Sequence, residues 1–155
     1  MDVYFLVKTL HIVTATILFG TGLGIAFFMY LGQSDESLSA RLYAAKTTVL
    51  ADTIFTAPAA VLQPLTGAWL IWKGGFRWDE PWLLAVYGLY GVAALCWLPV
   101  VWIQIRIKHM LISSLSKMEP LPAAYGRLMR WWFLLGWPAF LGLVAIFLLM
   151  VSKPS

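Results

Sequence analysis

Charged residues are nearly absent from four long, mainly apolar stretches of this chain, residues 5–31, 47–72, 82–105 and 131–151. A helix needs about 20 mainly apolar residues to cross the hydrocarbon core of a bilayer, and each stretch meets that requirement. The polar segments between them are short and carry helix start and stop signals. Ser34–Asp35–Glu36–Ser37 offers capping residues and first-turn acids, and SLSARLYAAK then runs as good helix sequence into the second stretch. The third helix is expected to continue past the membrane until Glu119–Pro120–Leu121–Pro122 stops it, with a restart near Ala123. The pattern predicts an all-α membrane protein, an up-and-down bundle of four transmembrane helices forming one domain over residues 1–155. Cytoplasmic helix extensions are expected at residues 35–46 and 106–118, as solvated helix ends or as a docking surface for a partner. The first stretch is too long for the apolar region of a signal peptide, which runs about 7–15 residues.

Composition agrees with the pattern. Hydrophobic residues make up 61% of the chain and charged residues 12%, where soluble domains average about 45–50% and about 25%. A disordered chain is excluded, and the composition argues against an ordinary soluble globule. The formal net charge of +4 does not point to nucleic acid, because the basic residues flank the apolar stretches. Arg41, Lys46, Arg106, Lys108, Lys117, Arg127 and Arg130 fall on one side, and Lys8, Lys73, Arg77 and Lys153 on the other. The positive-inside rule then puts both termini outside a bacterial inner membrane, N-out and C-out, with the lipid bilayer as the obligatory partner. Trp69, Trp72, Trp78 and Trp82 bracket the outer hairpin, while Trp102, Trp131 and Trp132 mark the inner boundary. Indole rings favour that headgroup region. Trp97 and Trp137 fall in mid-span, where packing between helices is expected.

Chemistry-bearing residues are few. The lone Cys96 permits no intramolecular disulfide, and two histidines with one cysteine cannot build a classical zinc or iron–sulfur site. In the second stretch Thr48, Asp52 and Thr56 recur every four residues and share a helix face, which Gln63 and Thr66 continue beyond Pro58. A carboxylate inside a membrane costs several kcal/mol and marks a pathway or a paired charge. In the first stretch His11, Thr14, Leu18 and Thr21 form a facing stripe. Antiparallel pairing predicts an outer polar site of Lys8, His11, Gln63 and Thr66 with Tyr87 and Tyr90. It also predicts an inner one of Asp52, Thr53 and Thr21, reached by Arg106 or Arg130. Plainer roles exist for each: an Asp52 ion pair that fixes register, threonines bonded to their own helix, and an interfacial His109. Gly20 and Gly24 form a GxxxG suited to close helix packing, and Gly20–Gly24 fails as a dinucleotide loop because no strand precedes it. No nucleophile–base pair is present, so no catalytic residue is assigned.

The segments FLVKTLHIVTATILFGTGLGIAFF and ADTIFTAPAAVLQPLTGAWLIW resemble the bacterial membrane-protein family catalogued as domain of unknown function 2269, over nearly the whole chain. More distantly, Lys8–Thr9–Leu10–His11 resembles the opening helix of the haem-dependent membrane protoporphyrinogen oxidases and of CopD-type membrane proteins. That second resemblance implies haem b at His11, with the haem iron as the one metal in view. Three functional classes stay open: an accessory subunit that binds a protein partner or a second copy, a haem redox protein with His11 as axial ligand, and a proton or small-solute conduit using Asp52 and His11.

Overall fold

The computed structural model describes residues 2–153, and these are helical throughout apart from short connections, with no strand among the described residues. Four helices are long and apolar enough to cross a membrane: α1 (Val3–Gln33), α2 (Leu38–Gly74), α3 (Pro81–Lys117) and α4 (Ala124–Ser152). Their ends follow local chemistry. The Asp2 carboxylate accepts from Tyr4 N at 3.0 Å and caps α1. Ser37 caps α2, and Gly75 ends it with a left-handed φ of 71° that a glycine adopts without strain. Pro81 opens α3 at a position where its missing N–H costs nothing. The 37-residue α3 runs on to Lys117, where Met118 turns left-handed ahead of the two prolines.

Two apolar clusters hold the helices at opposite ends. Met29 of α1, Ala45 of α2, Ile103, Ile107 and Leu111 of α3, and Trp132 of α4 form one of them. Ile71 of α2 with Trp82, Leu83 and Val86 of α3 forms the other, joined by Ile146, Leu149 and Met150 of α4. Helices α3 and α4 pack along their lengths, α1 lies along α2, and the first half of α2 lies on α3. Contact between α1 and α4 is slight: the Phe19 ring stacks on Phe140 at 5.2 Å and meets Phe147 edge-on at 5.5 Å, and Tyr30 lies 5.9 Å from Phe133. The outward faces are apolar, with Leu95, Leu98, Leu148 and Val151 all exposed. Water is a poor solvent for so continuous an apolar surface, and lipid is the natural one.

The segments beyond the apolar stretches are tied into the fold. Tyr125 Oη donates to Gln33 Oε1 at 2.5 Å, Gln33 Nε2 donates to the Arg41 carbonyl at 2.9 Å, and Arg41 Nε donates to the Asp35 carbonyl at 2.6 Å. One buried glutamine thereby joins α1, α2 and α4. At the other end, exposed Arg77 forms a two-point ion pair with Asp79 (3.0 and 2.7 Å), whose hydrogen bonds hold the Asp79 carboxyl below the usual carboxylate range.

The expected close packing at Gly20 and Gly24 does not occur within the chain. A Cβ built on Gly20, Gly22 or Gly24 meets nothing within 4 Å, because α1 touches α4 through Phe19 and Tyr30 rather than through the glycine face. The intimate approach lies elsewhere, at Gly32 against Ala44, where a Cβ would collide with the alanine methyl. Replacing Gly32 by Ala is therefore expected to destabilise the protein by about 1–3 kcal/mol through overpacking. Gly22→Ala should leave stability unchanged or raise it by up to about 1 kcal/mol, as alanine is the better helix former. Unfolding titrations in mild detergent check both, and equal effects at the two sites would contradict this packing.

Candidate functional site

Two prolines shape the functional face of α2. Pro58 has no N–H and its ring clashes with the carbonyl four residues earlier, so a regular α-helix cannot pass through it unperturbed. Just before it the helix widens into one π-helical turn, Asp52–Thr56, in which the Ala57 N–H reaches the Asp52 carbonyl. Single π turns of this kind recur at functional sites. Pro64 likewise leaves the carbonyl of Ala60 without its helical donor. Tyr90 of α3 supplies the replacement, its Oη donating to Ala60 O at 2.5 Å. In hydrocarbon that carbonyl would otherwise have no partner.

On one side of this break lies a closed hydrogen-bond network. His11 Nδ1 is 2.8 Å from Thr66 Oγ1, and Gln63 Nε2 is 3.3 Å from His11 Nε2. Thr14 Oγ1 donates to Gln63 Oε1 at 2.6 Å, and Thr66 Oγ1 donates to the Leu62 carbonyl at 2.7 Å. The ring stands beside Gly67, where a Cβ would come within 3.3 Å of Cε1. With Gln63 placed this way, His11 carries its proton on Nδ1 and accepts at Nε2. Turning the Gln63 amide over reverses the direction: Gln63 Oε1 then accepts from Nε2–H and Thr66 donates to Nδ1. Both arrangements satisfy every group, and both occupy both ring nitrogens.

This geometry does not suit haem. An axial histidine needs a free ring nitrogen, and here Nε2 and Nδ1 are each engaged by a side chain of α2. No chemistry through haem is derived from it. Lys8 and Tyr87 are exposed and stand outside the network, and Tyr90 serves the Ala60 carbonyl instead.

On the other side of the break is Asp52, only 4% exposed. Thr56 of α2 and Trp97 and Gln104 of α3 face its carboxyl. Asp52 Oδ2, Thr56 Oγ1, Trp97 Nε1 and Gln104 Oε1 are nevertheless buried without a hydrogen-bond partner. Native proteins leave few such groups, and each one calls for an explanation. Arg106 and Arg130, expected as charge partners, are not brought to Asp52. The Arg106 guanidinium lies over the Trp102 ring at 5.6 Å, Arg130 is exposed, and the one ion pair among the described residues is Arg77–Asp79. Both arginines sit near the membrane boundary, where stacking on an indole or contact with water avoids burying a guanidinium.

The remaining threonines divide. Thr48 and Thr56 are buried with Asp52, whereas Thr53 is exposed and donates to its own helix at Val49 O, 2.8 Å away. Thr21 of α1 and Thr48 line an open, mainly apolar groove of about 760 Å³ between α1 and α2, together with Gly24, Phe28 and Phe55. His109 is exposed. Trp97, expected only to pack between helices, and Gln104 join the site at Asp52. Their seven-residue spacing places them on one helix face, and a glutamine within an apolar stretch was the available signal.

The sequence pattern of the family described as "Predicted integral membrane protein (DUF2269)" matches residues 5–154, and the chain belongs to that family. No curated protein and no solved structure matches it.

The role given to Tyr90 can be read from a double-mutant cycle. Tyr90→Phe should cost about 1–3 kcal/mol in the native background, because it leaves a buried carbonyl unpaired. In a Pro64→Ala background residue 64 regains its N–H, Ala60 O recovers its helical donor, and the same substitution should cost far less. Equal costs in the two backgrounds would show that Tyr90 does not serve this carbonyl.

Proposed function

We propose that this protein is an up-and-down bundle in a bacterial inner membrane, both termini outside, and that it serves as a conduit for a proton or a small polar solute. The observation that carries the reading is Asp52, an intramembrane carboxyl buried among polar groups with no ion-pair partner among the described residues. Such residues are expensive to place in a membrane and typically mark ion or proton pathways. The basic residues support the orientation, since seven of the eleven Lys and Arg lie on the side assigned to the cytoplasm.

The path follows the shared face of α1, α2 and α3. Gln104, Trp97, Asp52 and Thr56 form the inner station, and Thr14, Gln63, His11 and Thr66 the outer one. Seven residues separate Thr56 from Gln63, a rise of about 10 Å at 1.5 Å per residue. The Tyr90–Ala60 hydrogen bond stands between them. The outer station suits relay because its network has two satisfied directions. A proton accepted at one ring nitrogen and released from the other leaves the opposite tautomer, which rotation of the Gln63 amide satisfies; turning the imidazole and the amide back together returns the first arrangement.

The other two classes have less support. The extensions at residues 35–46 and 106–118 bury Ala45, Ile107, Leu111 and Ser114 within this chain, which leaves less of them for a partner. Haem at His11 would require Gln63 or Thr66 to withdraw.

The protein reconstituted in liposomes provides the test. Proton flux, followed with an entrapped pH dye, and solute-driven swelling are measured for the native chain and for Asp52→Asn. Flux at least about tenfold above protein-free vesicles is expected, with most of it lost in the variant while the helical content is retained. Flux that is unchanged in Asp52→Asn would remove this reading.

A further inference from the structure

We propose that the species held at Asp52 is a proton, bound in the resting protein, with Trp97 and Gln104 as the groups that position it. The inference deepens the conduit reading and rests on it for the path by which the proton comes and goes.

The helices around the π turn bring it no compensating charge. Between His11 and Gln33, α1 has no charged residue; between Pro81 and Arg106, α3 has none; between Arg130 and Lys153, α4 has none. Between Pro81 and Arg106 the titratable groups of α3 are exposed Tyr87, Tyr90, bonded to Ala60 O, and half-buried Cys96. Of the cations of α2 itself, Lys46 and Lys73 are exposed and Arg41 is bonded to the Asp35 carbonyl. Arg106 is turned onto Trp102, and His11 is held in its own network by α2. A carboxylate buried so deeply without a partner charge is neutralised rather than left ionised.

The polar inventory separates a proton from a metal cation. A cation such as Na⁺ needs a shell of oxygens, and an indole N–H turned toward the carboxyl puts a positive edge where that ion would sit. A proton fits what is present. Forming an O–H bond at Asp52 Oδ2 makes the carboxyl neutral and turns it into a donor for Gln104 Oε1, an acceptor that otherwise lacks a partner. The acid's carbonyl oxygen then accepts from the Trp97 N–H, which also lacks a partner. The proton itself supplies partners for two of the unpartnered atoms, Asp52 Oδ2 and Gln104 Oε1, and leaves the other carboxyl oxygen free to accept from Trp97.

Infrared spectroscopy of the full chain in lipid vesicles tests this directly, because a protonated carboxylic acid has its own C=O stretch. The chain has four aspartates, Asp2, Asp35, Asp52 and Asp79, of which only Asp52 is buried. At neutral pH a carboxylic-acid band is expected that shifts on ¹³C-aspartate labelling and in D₂O. It should vanish in Asp52→Asn and move in frequency in Trp97→Phe and Gln104→Leu, which change its hydrogen bonds. The isotope shift keeps the test decisive even where Asp52→Asn fails to fold. Absence of the band at neutral pH in the native chain would overturn the proposal, as would a band that appears only when Na⁺ is withdrawn. The band without any flux would sustain the proton site while removing the conduit. Flux that depends on Asp52 with no such band would retain the conduit and remove the proton.

Discussion

Hydrocarbon offers the backbone no hydrogen-bond partner, and α2 must satisfy that constraint despite two prolines within its membrane-crossing length. A transmembrane helix survives such breaks only when neighbours take over the released groups. At Pro64 the neighbour is Tyr90 of α3, bonded to the Ala60 carbonyl. At Pro58 the helix itself gives way and opens the π turn over Asp52–Thr56. The first binds α2 to α3, and the second is closed within α2 itself. The polar stations on either side depend on them.

The two stations differ in how far their hydrogen bonding is complete. Around His11 both ring nitrogens have a partner, and the network can run in either direction. Around Asp52 four polar atoms have none. Buried polar groups left in that state cost free energy that packing elsewhere must offset. A proton on the carboxyl pairs Asp52 Oδ2 with Gln104 Oε1 and uses groups already in place. The same account explains why the arginines stay away. A guanidinium drawn inward to meet Asp52 would lose its own contact with water or, for Arg106, with the Trp102 ring.

Much of this was legible in the sequence, because the strongest signals were long-range ones. Four apolar stretches demanded four long helices, and Asp52, His11, Gln63 and Thr66 stood out as polar residues where lipid tolerates few. What could not be read were the partners. Nothing in the spacing of α3 said that Trp97 and Gln104, rather than Arg106, would face Asp52, since that depends on how α3 is rotated against α2. The π turn was equally hidden: Pro58 announced a disturbance without saying whether the helix would kink, break or widen. The glycines of α1 misled for a related reason, since a small-residue motif shows that close packing is permitted but not that a neighbour is there. Gly32, which belongs to no such motif, makes the close contact instead.

Asp52 lies against Trp97 and Gln104, with no arginine paired to it among the described residues. Solid-state NMR with ¹³C-labelled aspartate and ¹⁵N-labelled tryptophan and arginine side chains, on the protein in lipid, measures this directly. The account predicts dipolar contact between the Asp52 carboxyl carbon and the Trp97 indole nitrogen, and none to any guanidinium. Contact between that carboxyl and Arg106 or Arg130, with none to Trp97, would contradict it.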